Sequence, residues 1–327
     1  MRRLARISAA ACAVIALAAA ACAGSSHAQA YPNKPVRLIL PYTPGGGTDL
    51  IARPLAQKLS ERLGQQVIVD NRGGANGTIG MELAAKAPPD GYTLVLALTA
   101  QLAMNPAVYA HLPYDPVRDF TPVMLLGTAP YLLTVNAALP ATTVAELIAL
   151  AKARPGQLAF ASSGNGGIPH LAGELLKHLA GIDIVHVPYK GGGPAMTDLI
   201  GGQVQMNFAV IPVGMPYVRA GRLRALAVTS AKRFKSIPEV PALAETLRGY
   251  EISTWYGVLA PARTPARIVD TLNRSLAAAL DDPDLKQSQL ANGFEAIGGG
   301  PDALAAQIRD ELVKWSKLIA ASGVKLD

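Results

Sequence analysis

Cysteine is nearly absent from this 327-residue chain: Cys12 and Cys22 are the two present, and both fall inside the first thirty residues. Beyond that point no disulfide, thiol nucleophile or cysteine-ligated metal is available. Aromatic residues make up only 5% and form no series on which bases would stack, and the basic residues are scattered, so nucleic-acid binding is not expected. Past the first thirty residues there is also no uncharged apolar run of the roughly 20 residues that a membrane span needs. Missing too are the phosphate-cradling G-x-x-x-x-G-K-[ST] and G-x-G-x-x-G patterns, the G-x-S-x-G nucleophile turn and the H-E-x-x-H zinc motif. A secreted hydrolase therefore has no nominated nucleophile, and neither a metal nor another cofactor is expected.

What is present begins with Arg2, Arg3 and Arg6 ahead of an uncharged stretch from Ala9 to Ala23, followed by small residues at Ala28 and Ala30. This reads as a secretory signal over residues 1–30, cleaved near Ala30, and it points to the periplasm. Cleavage removes three arginines and takes the formal charge from +7 to +4, a mild balance that suits an anionic partner. Cleavage before Cys22 with lipid attachment is the alternative, disfavoured because no bulky residue stands among Ala19, Ala20 and Ala21.

Half of the residues are apolar, enough to bury a large core. Short aliphatic runs at 36–40, 67–69, 93–97, 123–126, 132–135, 158–161, 184–187 and 225–228 alternate with helical periodicities. That alternation predicts an α/β fold with mainly parallel sheets. Ile51, Leu55, Leu59 and Leu63 share one helical face closed by Gly64, with Pro54 expected to kink or shorten it. Leu304, Ile308, Leu312, Trp315 and Ile319 mark a long final helix. The stretches 127–133 and 248–261 read as paired hinge strands.

Two strand-to-helix loops carry the candidate chemistry. In the first, Gly45, Gly46 and Gly47 precede Thr48 and Asp49; in the second, Ser162, Ser163, Gly164, Asn165, Gly166 and Gly167 precede Pro169. Bare backbone before a helix leaves N–H groups open to an anion, and glycine lets that anion approach closely. The competing reading of either loop is a tight turn. Asp49 is awkward beside an anion, so it is expected to cap the helix or lock the loop. Glycines recur before helices in "DNRGGANGTIG" and "VPYKGGGPA", where Lys190 reads as a solvated turn residue. His170, at the start of the helix after "SSGNGG", either shapes a cleft or acts as a cap. Tyr42 and Phe208 are the aromatics expected to pack against a ligand.

Over nearly the whole mature chain, "VRLILPYTPGGGTDL", "LPYDPVRDFTPV", "SSGNGG", "VPYKGGGPAMTDLIGGQV" and "GRLRALAVTSAKR" occur in an order that resembles the substrate-binding proteins of tripartite tricarboxylate transporters, the Bug or TctC-type receptors. The resemblance implies a two-lobed, type II-like periplasmic binding protein. Each lobe is a mainly parallel sheet flanked by helices, and two hinge strands join them. Residues 31–130 and 253–327 then form the first lobe and 131–252 the second. It further implies a small organic anion as ligand: a di- or tricarboxylate, an amino acid or an aromatic carboxylate. Main-chain donors and ordered waters would hold it at Gly46, Gly47, Thr48 and Asp49 and at Ser162, Ser163, Gly164, Asn165 and Gly166, with Thr99 on a third loop. The implied partner is an integral membrane permease, and a monomer is expected. Asn207 and Phe208 stand in a segment where the family often has an acid, which puts amine recognition there in doubt and implies a less polar pocket end. A periplasmic sensor that hands its closed form to a signalling protein is the alternative function.

Overall fold

Strand β1 (Val36–Leu40) is buried at every position except Arg37, as expected of a strand covered on both faces. In this computed structural model, which describes residues 31–45 and 47–322, it pairs in parallel with β2 (Val67–Asn71) and β3 (Thr93–Leu98). Between β1 and β2 runs α1 (Gly47–Leu63), which buries Ile51, Ala52, Leu55, Ala56 and Leu59 on the predicted face. Gly64 closes it with φ 64, a left-handed conformation that costs glycine little. Pro54 is accommodated inside α1 rather than ending it early. A short helix, α2 (Thr78–Ala85), precedes β3, and a π-helical turn over 100–104 leads from β3 into α3 (Asn105–Val108).

The sequence reading splits the next segment into two strands. Instead one 17-residue strand, β4 (Phe120–Asn136), runs through Gly127 and Pro130. Its first part pairs antiparallel with β9 (Ser253–Pro261), from Phe120↔Pro261 to Pro130↔Ser253. Its remainder pairs with β7 (Met206–Val210) and β8 (Leu223–Val228). Proline has no N–H for a ladder, and Pro130 stands where β4 changes partners. The 127–130 and 253–256 ladder, within the stretches expected to be paired hinge strands, is the last part of the β4–β9 pairing before that change. Buried Thr229 pins it: Tyr131 N–H donates to Thr229 Oγ1 at 2.7 Å, Thr229 N–H to the Tyr131 carbonyl at 2.9 Å, and Ile252 N–H to the Thr229 carbonyl at 2.9 Å. Gly127 is required by a close approach, since a Cβ there would lie 2.1 Å from the carbonyl oxygen of Glu295 on β10 (Glu295–Gly299).

The strands follow one path, β2-β1-β3-β9-β4-β7-β5-β6, with β8 and β10 also paired to β4. Here β5 is Ala159–Ser162 and β6 is Val185–Pro188. The architecture is the expected α/β one of two lobes joined by two strands. Parallel pairing holds for β2-β1-β3 and β7-β5-β6, whereas every pair involving β4 or β9 is antiparallel.

Helices α4 (Val144–Ala153), α5 (Ile168–Ala180), α6 (Gly192–Ile200) and α7 (Ile211–Arg219) accompany the β7-β5-β6 end of the path. Farther along come α8 (Ala266–Leu280), α9 (Pro283–Ala291) and α10 (Pro301–Ser322). Along α10, Leu304, Ile308, Trp315 and Ile319 are buried and Leu312 packs against the same core. Each full burial of such a side chain stabilises by roughly 1.5–3 kcal/mol. The indole N–H of Trp315 donates to Glu311 Oε2 at 2.5 Å, so the buried acid has a partner on its own helix. Among the described residues no helix is long and apolar enough to cross a membrane. Residues 1–30, with the signal and Cys22, lie outside the described residues.

Candidate functional site

At the end of β5 the chain leaves the sheet through Ser162 and turns at Gly164 (φ 141) and Gly166 (φ 72), conformations that favour glycine. Helix α5 then starts after Gly167 with no side-chain cap and with Pro169 in its first turn, so its leading N–H groups have no side-chain acceptor. The Ser162 hydroxyl donates to the Gly164 carbonyl at 2.9 Å and accepts from the Gly164 N–H at 3.2 Å. His186 Nε2 lies 2.6 Å from the same oxygen. With the hydroxyl proton committed to Gly164, His186 Nε2 carries the proton of that contact.

Under the loop, His170 and His186 stack with ring centroids 3.7 Å apart and planes 6° from parallel, and Phe160 stacks on His186 at 4.9 Å. The Gly166 N–H donates to His170 Nδ1 at 3.1 Å, which puts the His170 proton on Nε2, 3.9 Å from Glu174 Oε1. Burial holds both imidazoles far below their ordinary range, to about 4, with Lys177 adding to the effect and His170 adding to it for His186. The loop therefore rests on two neutral rings. His170 acts as the loop's hydrogen-bonding support rather than as a cleft wall.

A cavity of about 430 Å³ opens beside this loop. Ser162, Ser163 and Pro169 line it from α5's end, Gly192 and Gly193 from the first turn of α6, and Val213 from the first turn of α7 with Val210 just before it at the end of β7. Neither α6 nor α7 has a side-chain cap. Three helix starts thus converge on one space, each with the positive end of its dipole there. Asn207 and Phe208 of β7 and Tyr131 of β4 complete the wall together with Ala195, Met196, Ala161 and Ala209. The Thr134 hydroxyl donates to Asn207 Oδ1, so the amide nitrogen is the end of that side chain left to the cavity.

Of the residues nominated from sequence, Ser162, Ser163 and Phe208 line the cavity. Gly164 and Gly166 shape the loop behind it, and Asn165 is exposed away from it. No described residue of the first loop lines this cavity. Asp49 Oδ2 accepts from the Gly45 N–H at 3.0 Å, while Oδ1 accepts from Arg53 Nε at 2.7 Å, with the Asn71 amide at 3.3–3.4 Å from both oxygens. This is the loop-locking role expected of Asp49, and it leaves no open acceptor for a ligand amine. Gly47 is exposed and Thr48 buried, and neither lines the cavity. Gly46 lies outside the described residues.

Thr99 is fully buried, and its hydroxyl accepts from the Trp255 N–H at 2.9 Å. It ties β3 to the hinge strand instead of facing a ligand. The Tyr42 hydroxyl exchanges hydrogen bonds with the buried Gln101 amide, donating at 3.2 Å and accepting at 2.9 Å. Its pKa is pushed up to about 12, mainly by burial and slightly by the neighbouring Tyr131.

Sequence reasoning missed the contributions of α6 and α7. The Gly191-Gly192-Gly193 run before a helix was a usable signal, as was Pro212 opening α7. What it did not contain was their convergence with Ser162. Among the described residues no cluster of His, Cys, Asp and Glu is arranged to hold a metal.

Comparison with known proteins places this geometry in context. Residues 51–324 match the model of the family described as tripartite tricarboxylate transporter family receptor. The chain is similar to the protein BugT of Bordetella pertussis, at 39% identity over 95% of this chain and 96% of that one. Among solved structures it is similar to a Rhodopseudomonas palustris protein determined with adipate, at 39% identity, TM-score 0.78 and coverage of 90% of this chain and 99% of that one. It is also similar to MatC of Rhodopseudomonas palustris with bound malate, at 31% identity, TM-score 0.73 and coverage of 88% and 100%.

Proposed function

Since the chain belongs to the tripartite tricarboxylate transporter receptor family, we propose that it is a periplasmic receptor that captures a small organic carboxylate and delivers it to a membrane permease. The observation that carries this reading is the convergence of three uncapped helix starts on one cavity. A carboxylate there accepts hydrogen bonds from N–H groups that no side chain satisfies, and each helix end favours the charge by typically 0.3–1 kcal/mol. The adipate and malate bound by similar proteins support the same class.

We assign residues 31–130 and 253–327 to one lobe and 131–252 to the other, supported by the change of β4 partners after Pro130. The cavity then belongs to the second lobe. Bending across the 127–130 and 253–256 ladder closes the first lobe, with Gly47, Thr48 and Tyr42, over the bound anion. The closed form is what a permease distinguishes from the empty receptor.

Thermal unfolding of the purified protein with a panel of acids, sugars and metal salts tests this. An acid at a hundred times its dissociation constant adds about 2.7 kcal/mol of stability, on the order of 5 °C or more in Tm. Failure of adipate, malate and every other carboxylate to shift Tm, with a shift from a sugar or metal, overturns the reading.

A further inference from the structure

The cavity wall contains no charged side chain among the described residues. A ligand ammonium placed there meets no carboxylate, and burying such a charge unpaired is costly. The polar side chains of its wall are Ser163, Asn207, Ser162, whose hydroxyl is already engaged by Gly164 and His186, and Tyr131, whose hydroxyl meets Thr254 Oγ1 at 3.2 Å; the starts of the three helices stand beside them. Asn207 is only 5% exposed, its carbonyl end is occupied by Thr134, and its NH₂ has no partner in the protein. That side chain leaves a donor to the cavity.

The remaining wall is hydrocarbon. Val210 and Val213 are 42% and 47% exposed although both line the cavity, and Phe208, Met196 and Ala209 stand beside them. Two large, uncovered aliphatic side chains inside a concave site are surface that a ligand body buries.

Resting on the carboxylate reading above, we infer that this receptor selects carboxylates with an apolar body, aliphatic or aromatic, and rejects those bearing an ammonium group. Asn207 fixes the sign of the polar group accepted, and Phe208, Val210 and Val213 form the seat for the body. Amino acids, one of the ligand classes the sequence resemblance allows, are excluded by this wall.

Isothermal titration with matched pairs tests the selection: 3-phenylpropionate against phenylalanine, and 4-methylpentanoate against leucine, with adipate and malate as reference acids. Each pair differs by one ammonium group. The expected result is at least about a hundredfold weaker binding of the amino acid in both pairs. Val213→Ser, at a half-exposed position where folding tolerates the change, should weaken 3-phenylpropionate several-fold, on the order of one lost methyl contact. Equal binding of the two members of either pair overturns the inference, as does binding of adipate or malate without any binding of the apolar acids. Absence of binding by every acid instead overturns the carboxylate reading itself.

Discussion

The two glycine loops have the same design in sequence and opposite states in the fold. In the first, the protein supplies its own anion: Asp49 takes the Gly45 N–H and is in turn clamped by Arg53 and Asn71. In the second, the supporting groups under the loop are the neutral rings of His170 and His186, and the helix behind it starts uncapped. A glycine-rich helix start is thus not yet an anion site. At Ser162–Gly167 the chain supplies no carboxylate of its own: the loop N–H groups of Gly164 and Gly166 go to Ser162 Oγ and His170 Nδ1, and the helix start has no side-chain cap.

The largest expected effect separates the loops by pH. Both histidines are held neutral in the folded protein to about pH 4, whereas in the unfolded chain they take up protons near 6.5. Between these values the unfolded state binds more protons, so stability falls as pH drops from about 6.5 towards 4 and these groups contribute no further loss below that. For His170, the more deeply buried ring, the full cost approaches roughly 3 kcal/mol, and the partly exposed His186, whose shift depends in part on His170, adds less. Urea unfolding at pH 7, 5.5 and 4.5 should show it, and the double variant His170→Asn, His186→Gln should flatten that window. An unchanged slope in the variant would show that the stacked pair is not what the second loop rests on.

Next in size is a paired substitution. A side chain added at Gly193 or at Gly47 meets nothing within 4 Å, so valine at either site is expected to leave the fold intact. Only Gly193 lines the cavity. Gly193→Val should lower carboxylate affinity by about a hundredfold by covering the start of α6. Gly47→Val, acting only when the first lobe closes, should cost about tenfold at most. The reverse order would move the primary site to the first loop.

How much of this was readable beforehand follows from what each segment depends on. The β1-α1-β2 unit was legible because its apolar periodicity, Gly64 stop and glycine turn are local signals. β4 was divided in two because Gly127 and Pro130 act as breakers in isolation. Its continuity comes from pairing with β9, more than a hundred residues away, and from β10 pressing on Gly127. β7 and β10 went unread for the same reason: "MNFAV" is a five-residue run without alternation, and "EAIGG" is weak in β propensity. In the site, Ser162, Ser163 and Phe208 were found from glycine chemistry and aromaticity. The roles of Asn207, Gly192 and Val213 depend on three helices meeting, and no local pattern encodes that meeting. His186 was visible only as a histidine outside a metal motif. Its place under Ser162 is set by the parallel register of β5 and β6, which pairs Phe160 with His186.

The smallest expected effect is the most direct test of the contrast. If the Asp49 carboxylate occupies the anion position of the first loop, removing it should convert that loop into a weak anion site. Asp49→Ala leaves the Gly45 N–H, Arg53 and the Asn71 amide without their shared acceptor, at a cost of about 1–3 kcal/mol. An added small anion such as formate or sulfate would restore part of that loss by accepting from the same groups. The variant should therefore melt lower than the parent in low salt and recover in proportion to formate, while Asp49→Asn, which keeps an acceptor for Gly45, should fall less and recover less. Equal salt responses of parent and variant would mean that the geometry of the first loop, and not its resident carboxylate, keeps anions out.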